Sequence, residues 1–219
     1  RRAAFHCGWI LEALALISPL CPLSVSLFSA RIGQHMILTT IAAPLIALGA
    51  PDRTLAAGWA RLRAEAPPSQ TVAASPVLAA AAFAAALWIW HAPGPYAATF
   101  QSDIVYWAMH ITTFGSALWL WTALLNGPGE RLPGAVAAIF LTTGQMGLLG
   151  AIITFAGSPL YWPHAFTTAA WGLTPLQDQQ LGGVIMWVPA GILFVAGLSF
   201  AFFEAMRRSE TRALTRHAS

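Results

Sequence analysis

The chain has 219 residues, of which 57% are hydrophobic and only 9% charged, with mean hydropathy +0.63. A soluble domain carries about 25% charged residues, so a soluble enzyme, a nucleic-acid binder and a disordered chain are excluded on composition. The basic residues are eleven Arg with no Lys, set against eight acids, for a net charge of +3. Clustered Arg in an apolar chain reports membrane orientation rather than nucleic-acid binding. Two cysteines, Cys7 and Cys21, are too few for a disulfide framework. The chain starts at Arg1 rather than Met, which leaves room for an upstream helix or a cleaved segment.

The predicted architecture is all-α, a single polytopic transmembrane bundle over residues 1–219. A bilayer core needs about 20 apolar residues of helix. Six stretches qualify: about 3–17, 24–50, 75–90, 103–125, 134–156 and 178–206. Pro and Gly cluster between them, at Pro19 and Pro22, Pro67 and Pro68, Pro93 to Pro95, Gly127 to Gly129, and Pro159 and Pro163. Thr54–Glu65 reads either as a short interfacial helix, with Leu55, Trp59 and Leu62 on one face, or as a solvated loop. With six spans, ten of the eleven Arg fall on one side, and the loops near 18–23, 91–102 and 157–177 have none. The positive-inside rule then puts both ends of the segment in the cytoplasm. The expected location is a bacterial inner membrane.

That orientation gives the polar side chains a depth. Arg31, Gln34, His35 and Met36 lie in the outer half of the second span, and Tyr106, Met109 and His110 in the outer half of the fourth. His91 and His164 lie in outer loops, Gln145 and Met146 near the middle of the fifth span, and Asp178, Gln179, Gln180 and Met186 at the start of the sixth. Polar groups in hydrocarbon are costly and normally face a bundle interior. The expected arrangement brings spans two, four and six around one outward-facing pocket, with Gly182 and Gly183 permitting close helix approach. Asp178 is expected to cap the outer end of its own span.

Imidazole and thioether together are a copper ligand set, and Met favours Cu(I). His35, Met36, Met109 and His110 are therefore the candidate copper ligands. The competing reading of each is interhelical packing and hydrogen bonding. Paired His could also ligate haem or line a quinone or proton path, but no CxxCH occurs for covalent haem. Glu12 is a further buried-acid candidate, and His6 with Cys7 a weaker metal pair. No GxSxG, HExxH, P-loop or GxGxxG occurs, so the chain is not expected to be an enzyme.

At residues 178–187 the chain reads Asp-Gln-Gln-Leu-Gly-Gly-Val-Ile-Met-Trp. This resembles the DQQLGGLIMW signature of the CtaG family of membrane-integral cytochrome c oxidase assembly factors. Supporting segments are Phe28 to Leu38 with Pro44, Gly49 and Pro51, then Trp88 to Tyr96 with Met109 and His110, and then Gly147 to Ala151 with Thr154, Pro159 and Tyr161. The similarity spans about residues 18–200. It implies a role in maturing a haem–copper oxidase around copper delivery, with oxidase subunits and the bilayer as partners. The alternatives are an accessory subunit that stays bound to the oxidase, or a redox or transport protein binding haem, quinone or copper. Where the family commonly carries HMxQH, with two His four apart, this chain has Arg31 and His35. Arg31 thus places a cation where a second ligand is expected.

Overall fold

The computed structural model describes residues 2–49, 75–125 and 132–188, with a few isolated positions beyond. Thr54–Glu65, Arg131 and the end of the sixth expected span lie outside the described residues. The described residues are helical, with no strand among them.

Helix α1 (Arg2–Ile17) ends before Pro19, whose missing N–H cannot continue the ladder. Helix α2 (Leu20–Ser26) follows at 49° to it. Leu27 is then extended, and α3 (Phe28–Met36) starts after it. The second span therefore begins at Phe28, four residues later than the apolar run implied. A π-helical turn, Ile37–Ala42, joins α3 to α4 (Ala43–Leu48). Pro44 has no N–H for the carbonyl of Thr40 and its ring crowds that carbonyl, so the preceding turn widens. The indole Nε1 of Trp121 donates to Thr39 O at 2.8 Å within this widened turn.

The remaining helices are α5 (Pro76–His91), the short α6 (Pro93–Ala98), α7 (Asp103–Leu125), α8 (Leu132–Phe155) and α9 (residues 175–188). Helix α5 packs against both α7 and α8, and α1 packs against α4 and the π turn. Fully buried Ala79 and Ala80 let the neighbours of α5 come close. The core runs through Phe28, Ile32, Phe83, Leu120, Met146 and Ile153.

The outside of the bundle is apolar too. Ile104, Ile111, Phe140 and Phe155 are 63–83% exposed. In water such a surface would drive association; in lipid it is the normal solvent face. Among the described residues, Phe28–Leu48 and Pro133–Phe155 are long and apolar enough to cross a membrane. The bent pair α1–α2 makes a third if it crosses as one span. Helix α5 is apolar but shorter, and α7 has 23 residues.

Helix α9 docks through its glycines. A Cβ on Gly183 would sit 2.9 Å from Thr154 N and 3.0 Å from Gly150 O, both backbone atoms of α8. Gly182 lies against the ring of Phe28. These contacts wedge α9 between α8 and the start of α3.

Candidate functional site

His35 and His110 meet between α3 and α7. Their ring centroids are 5.2 Å apart, with the planes at 80°. His110 Nδ1 donates to Tyr106 O at 3.0 Å, one turn earlier on its own helix. With the proton on Nδ1, a neutral imidazole presents its lone pair at Nε2. The Nε2 atoms of both His110 and His35 are buried and have no hydrogen-bond partner. Buried polar atoms are normally paired, so two orphaned imidazole nitrogens at one spot stand out. The Tyr106 ring, 4.4 Å from that of His110, fixes the latter's orientation.

One turn before His35 on the same face is Arg31, which is 2% exposed. Its Nη2 donates to Thr99 Oγ1 at 2.7 Å and to Met109 Sδ at 3.6 Å. The guanidinium carbon lies 4.9, 4.5 and 5.9 Å from the ring centroids of Tyr96, Phe100 and Tyr106. These aromatic faces stabilise the cation. Among the described residues, none of its contacts is a carboxylate. Tyr96, Thr99 and Phe100 arrive from α6 and the turn after it, which the Pro93 and Pro95 punctuation brings back over the bundle.

Asp178 does not cap its own helix. Helix α9 starts at residue 175, and the N–H of Asp178 already donates to Thr174 O at 3.0 Å. The carboxylate instead crosses to α3. It accepts from Phe28 N at 2.7 Å, Ser29 N at 3.1 Å and the Ser29 hydroxyl at 2.5 Å. Leu27, the residue before α3, offers no side-chain cap, so a carboxylate 150 residues away satisfies the first free N–H groups of that helix. Gln179 similarly ties α9 to α8, donating to Ile153 O at 3.1 Å and accepting from Leu160 N at 2.6 Å.

Above this junction Phe28 stacks on Tyr161 at 4.2 Å. The Tyr96 hydroxyl and His164 Nε2 share a hydrogen bond of 2.6 Å, and the Tyr161 hydroxyl donates to His91 O at 2.9 Å. Burial holds the imidazolium of His164 below its ordinary pKa and pushes the phenols of Tyr96 and Tyr161 up. His164 and both tyrosines are thus neutral hydrogen-bonding groups at neutral pH. Together with Phe28 they form a hydrogen-bonded aromatic cluster at the start of α3.

The structure thus joins α3 with α7 at the two imidazoles, and α3 with α9 at Asp178. Other sequence candidates have different neighbours. Met36, Met146 and Met186 are buried in the apolar core, and the Met109 thioether faces Arg31. The His91 Nδ1 donates to Leu87 O at 2.7 Å within its own helix. Gln180 is half-buried. Gln145 has both amide ends buried without a partner, as is Oε2 of Glu12. Cys7 is exposed, and the ring of its neighbour His6 meets Phe5.

Tyr96, Thr99, Phe100 and Tyr106 around Arg31 were not singled out by ligand chemistry, since none is a strong metal donor. Among the described residues no group of three or more His, Cys, Asp or Glu is arranged to hold a metal. A tetrahedral Zn²⁺ or a four-coordinate Cu²⁺ site is not assembled from these side chains. The two imidazoles with unpartnered Nε2 atoms are the residues that could hold Cu(I), and the Nδ1–H to carbonyl bond of His110 is the support usual for a ligating histidine.

No curated protein and no solved structure matches the chain. Residues 1–208 match the family described as cytochrome c oxidase caa3 assembly factor (Caa3_CtaG). With the apolar helices and lipid-type surface described above, the match identifies a membrane protein. The chain belongs to the cytochrome c oxidase caa3 assembly factor family.

Proposed function

We propose that the chain matures a haem–copper terminal oxidase by handling Cu(I) at His35 and His110. The observation that carries this reading is the pair of buried, unpartnered Nε2 atoms on rings 5.2 Å apart. Family membership supplies the oxidase as client, and imidazole chemistry supplies copper as cargo. The role is a binding one, with no chemical conversion of the metal required. The oxidase isolated from cells lacking this chain is expected to carry its haem but to be short of copper. Full copper occupancy in that oxidase would contradict the proposal and favour a structural role as an accessory subunit.

We further propose six spans with both ends cytoplasmic, in a bacterial inner membrane. The support is the ten-to-none division of Arg between alternate loops. The His35–His110 pair then opens toward the outer face. A reporter fused after Ser219 should be active only in its cytoplasmic form; activity of a periplasm-only reporter there would reject this topology.

A further inference from the structure

Arg31 bears on what accompanies the metal, on the reading that His35 and His110 hold Cu(I). The guanidinium is buried, lies one turn from His35, and among the described residues has only hydroxyl, thioether and aromatic contacts. Charged groups inside a membrane bundle normally face an opposite charge. Here none of the described contacts provides one. Placing Cu(I) between two neutral imidazoles would add a second positive charge beside the first, in a medium that screens poorly.

An anion on the copper resolves both difficulties. Two imidazole nitrogens leave Cu(I) a third position, and Cu(I) prefers soft donors. We infer that the site takes Cu(I) together with a soft monoanion, a halide or a thiolate, as third ligand, with the anion's charge facing Arg31. The bound unit is then neutral and Arg31 gains its counter-charge. Arg31 is a positioning residue: it touches the anion rather than the metal. Release follows by ligand exchange. Thiolates of the receiving protein form Cu–S bonds as the bonds to the outgoing anion and then to the two imidazole nitrogens break, each leaving ligand keeps its electron pair, and copper stays Cu(I).

The test uses the purified full chain in detergent, under anaerobic conditions and in a sulfate medium free of halide. Cu(I) affinity is measured against a competing chelator, with corrections for Cu(I) bound by the probes themselves. Bromide is added in one arm and 2-mercaptoethanol in the other. Either probe should raise the affinity of the wild type by about tenfold, a normal coupling between adjacent ligands. X-ray absorption should then show one Br or S scatterer beside two N. The arm with the larger gain identifies whether a halide or a thiolate is the preferred anion. Arg31→Leu, which removes the charge without adding a donor, should keep the two N scatterers and lose both the gain and the heavy scatterer. Arg31→Lys, which keeps the charge, should retain the gain. Wild-type affinity indifferent to both probes, a gain that survives in Arg31→Leu, or a gain lost in Arg31→Lys overturns the inference. Absence of Cu(I) binding by the wild type in every medium overturns instead the copper reading on which it rests.

Discussion

Replacing Asp178 by Ala is expected to destabilise the chain by about 3 kcal/mol or more, at about 1–3 kcal/mol for each buried donor left unpaired. The carboxylate accepts three hydrogen bonds at the start of α3, two of them from backbone N–H groups. Both Phe28 and Ser29 are buried, so water cannot take its place. A negative charge at a helix N-terminus adds a favourable dipole interaction. Asp178→Asn keeps one acceptor oxygen but turns an NH₂ toward the remaining donors, so an intermediate loss, roughly half as large, is expected. Thermal unfolding in detergent measures both. The same variants should loosen α9 from α3 and lower oxidase maturation by lowering the amount of folded chain. Wild-type stability of Asp178→Ala would contradict the cross-helix cap.

The second large effect is expected at the imidazole pair. His35→Ala and His110→Ala should each lower copper-dependent oxidase activity on the order of tenfold or more. The double variant should lose little beyond either single one, because two ligands of one site act as a unit. Added copper should restore part of the activity, and the amount of chain in the membrane should hold. His91→Ala serves as a comparison. Among the described residues the His91 ring bonds to Leu87 O of its own helix, and its backbone carbonyl, not its side chain, receives Tyr161. Its effect should be small. His164→Ala removes the partner of Tyr96 and should reduce the amount of chain, with no rescue by copper. If His35→Ala and His110→Ala behave like His164→Ala, the pair is packing rather than a copper site.

The apolar runs placed most helices well. The stretches read as about 3–17, 75–90, 103–125 and 134–156 correspond to Arg2–Ile17, Pro76–His91, Asp103–Leu125 and Leu132–Phe155. Hydrophobicity sets the extent of a membrane helix, so it is legible locally. The interruptions were less so. The extended Leu27 lies within an apolar run, and nothing in that run marks the break at Leu27 or the π turn at Ile37–Ala42. The meeting of His35 and His110 is legible in the sequence only as a shared depth, since both lie at comparable distances along spans two and four, which run in the same direction. Asp178 shows the opposite limit. An Asp near a helix start reads as a cap for that helix, whereas its partners are Phe28 and Ser29. Nothing local in the sequence records a contact across 150 positions. The aromatic cage of Arg31 was hidden in the same way, because Tyr96 and Phe100 reach it only through the short helix α6.

This chain itself is expected to hold Cu(I) through His35 and His110. The most direct measurement is the Cu(I) content of the purified full chain, loaded anaerobically and freed of loosely held metal, for the wild type, His35→Ala and His110→Ala. One tightly held Cu(I) per wild-type chain is expected, with nitrogen ligands seen by X-ray absorption, and none in either variant. Wild-type protein that retains no copper, or variants that retain as much as the wild type, would contradict it.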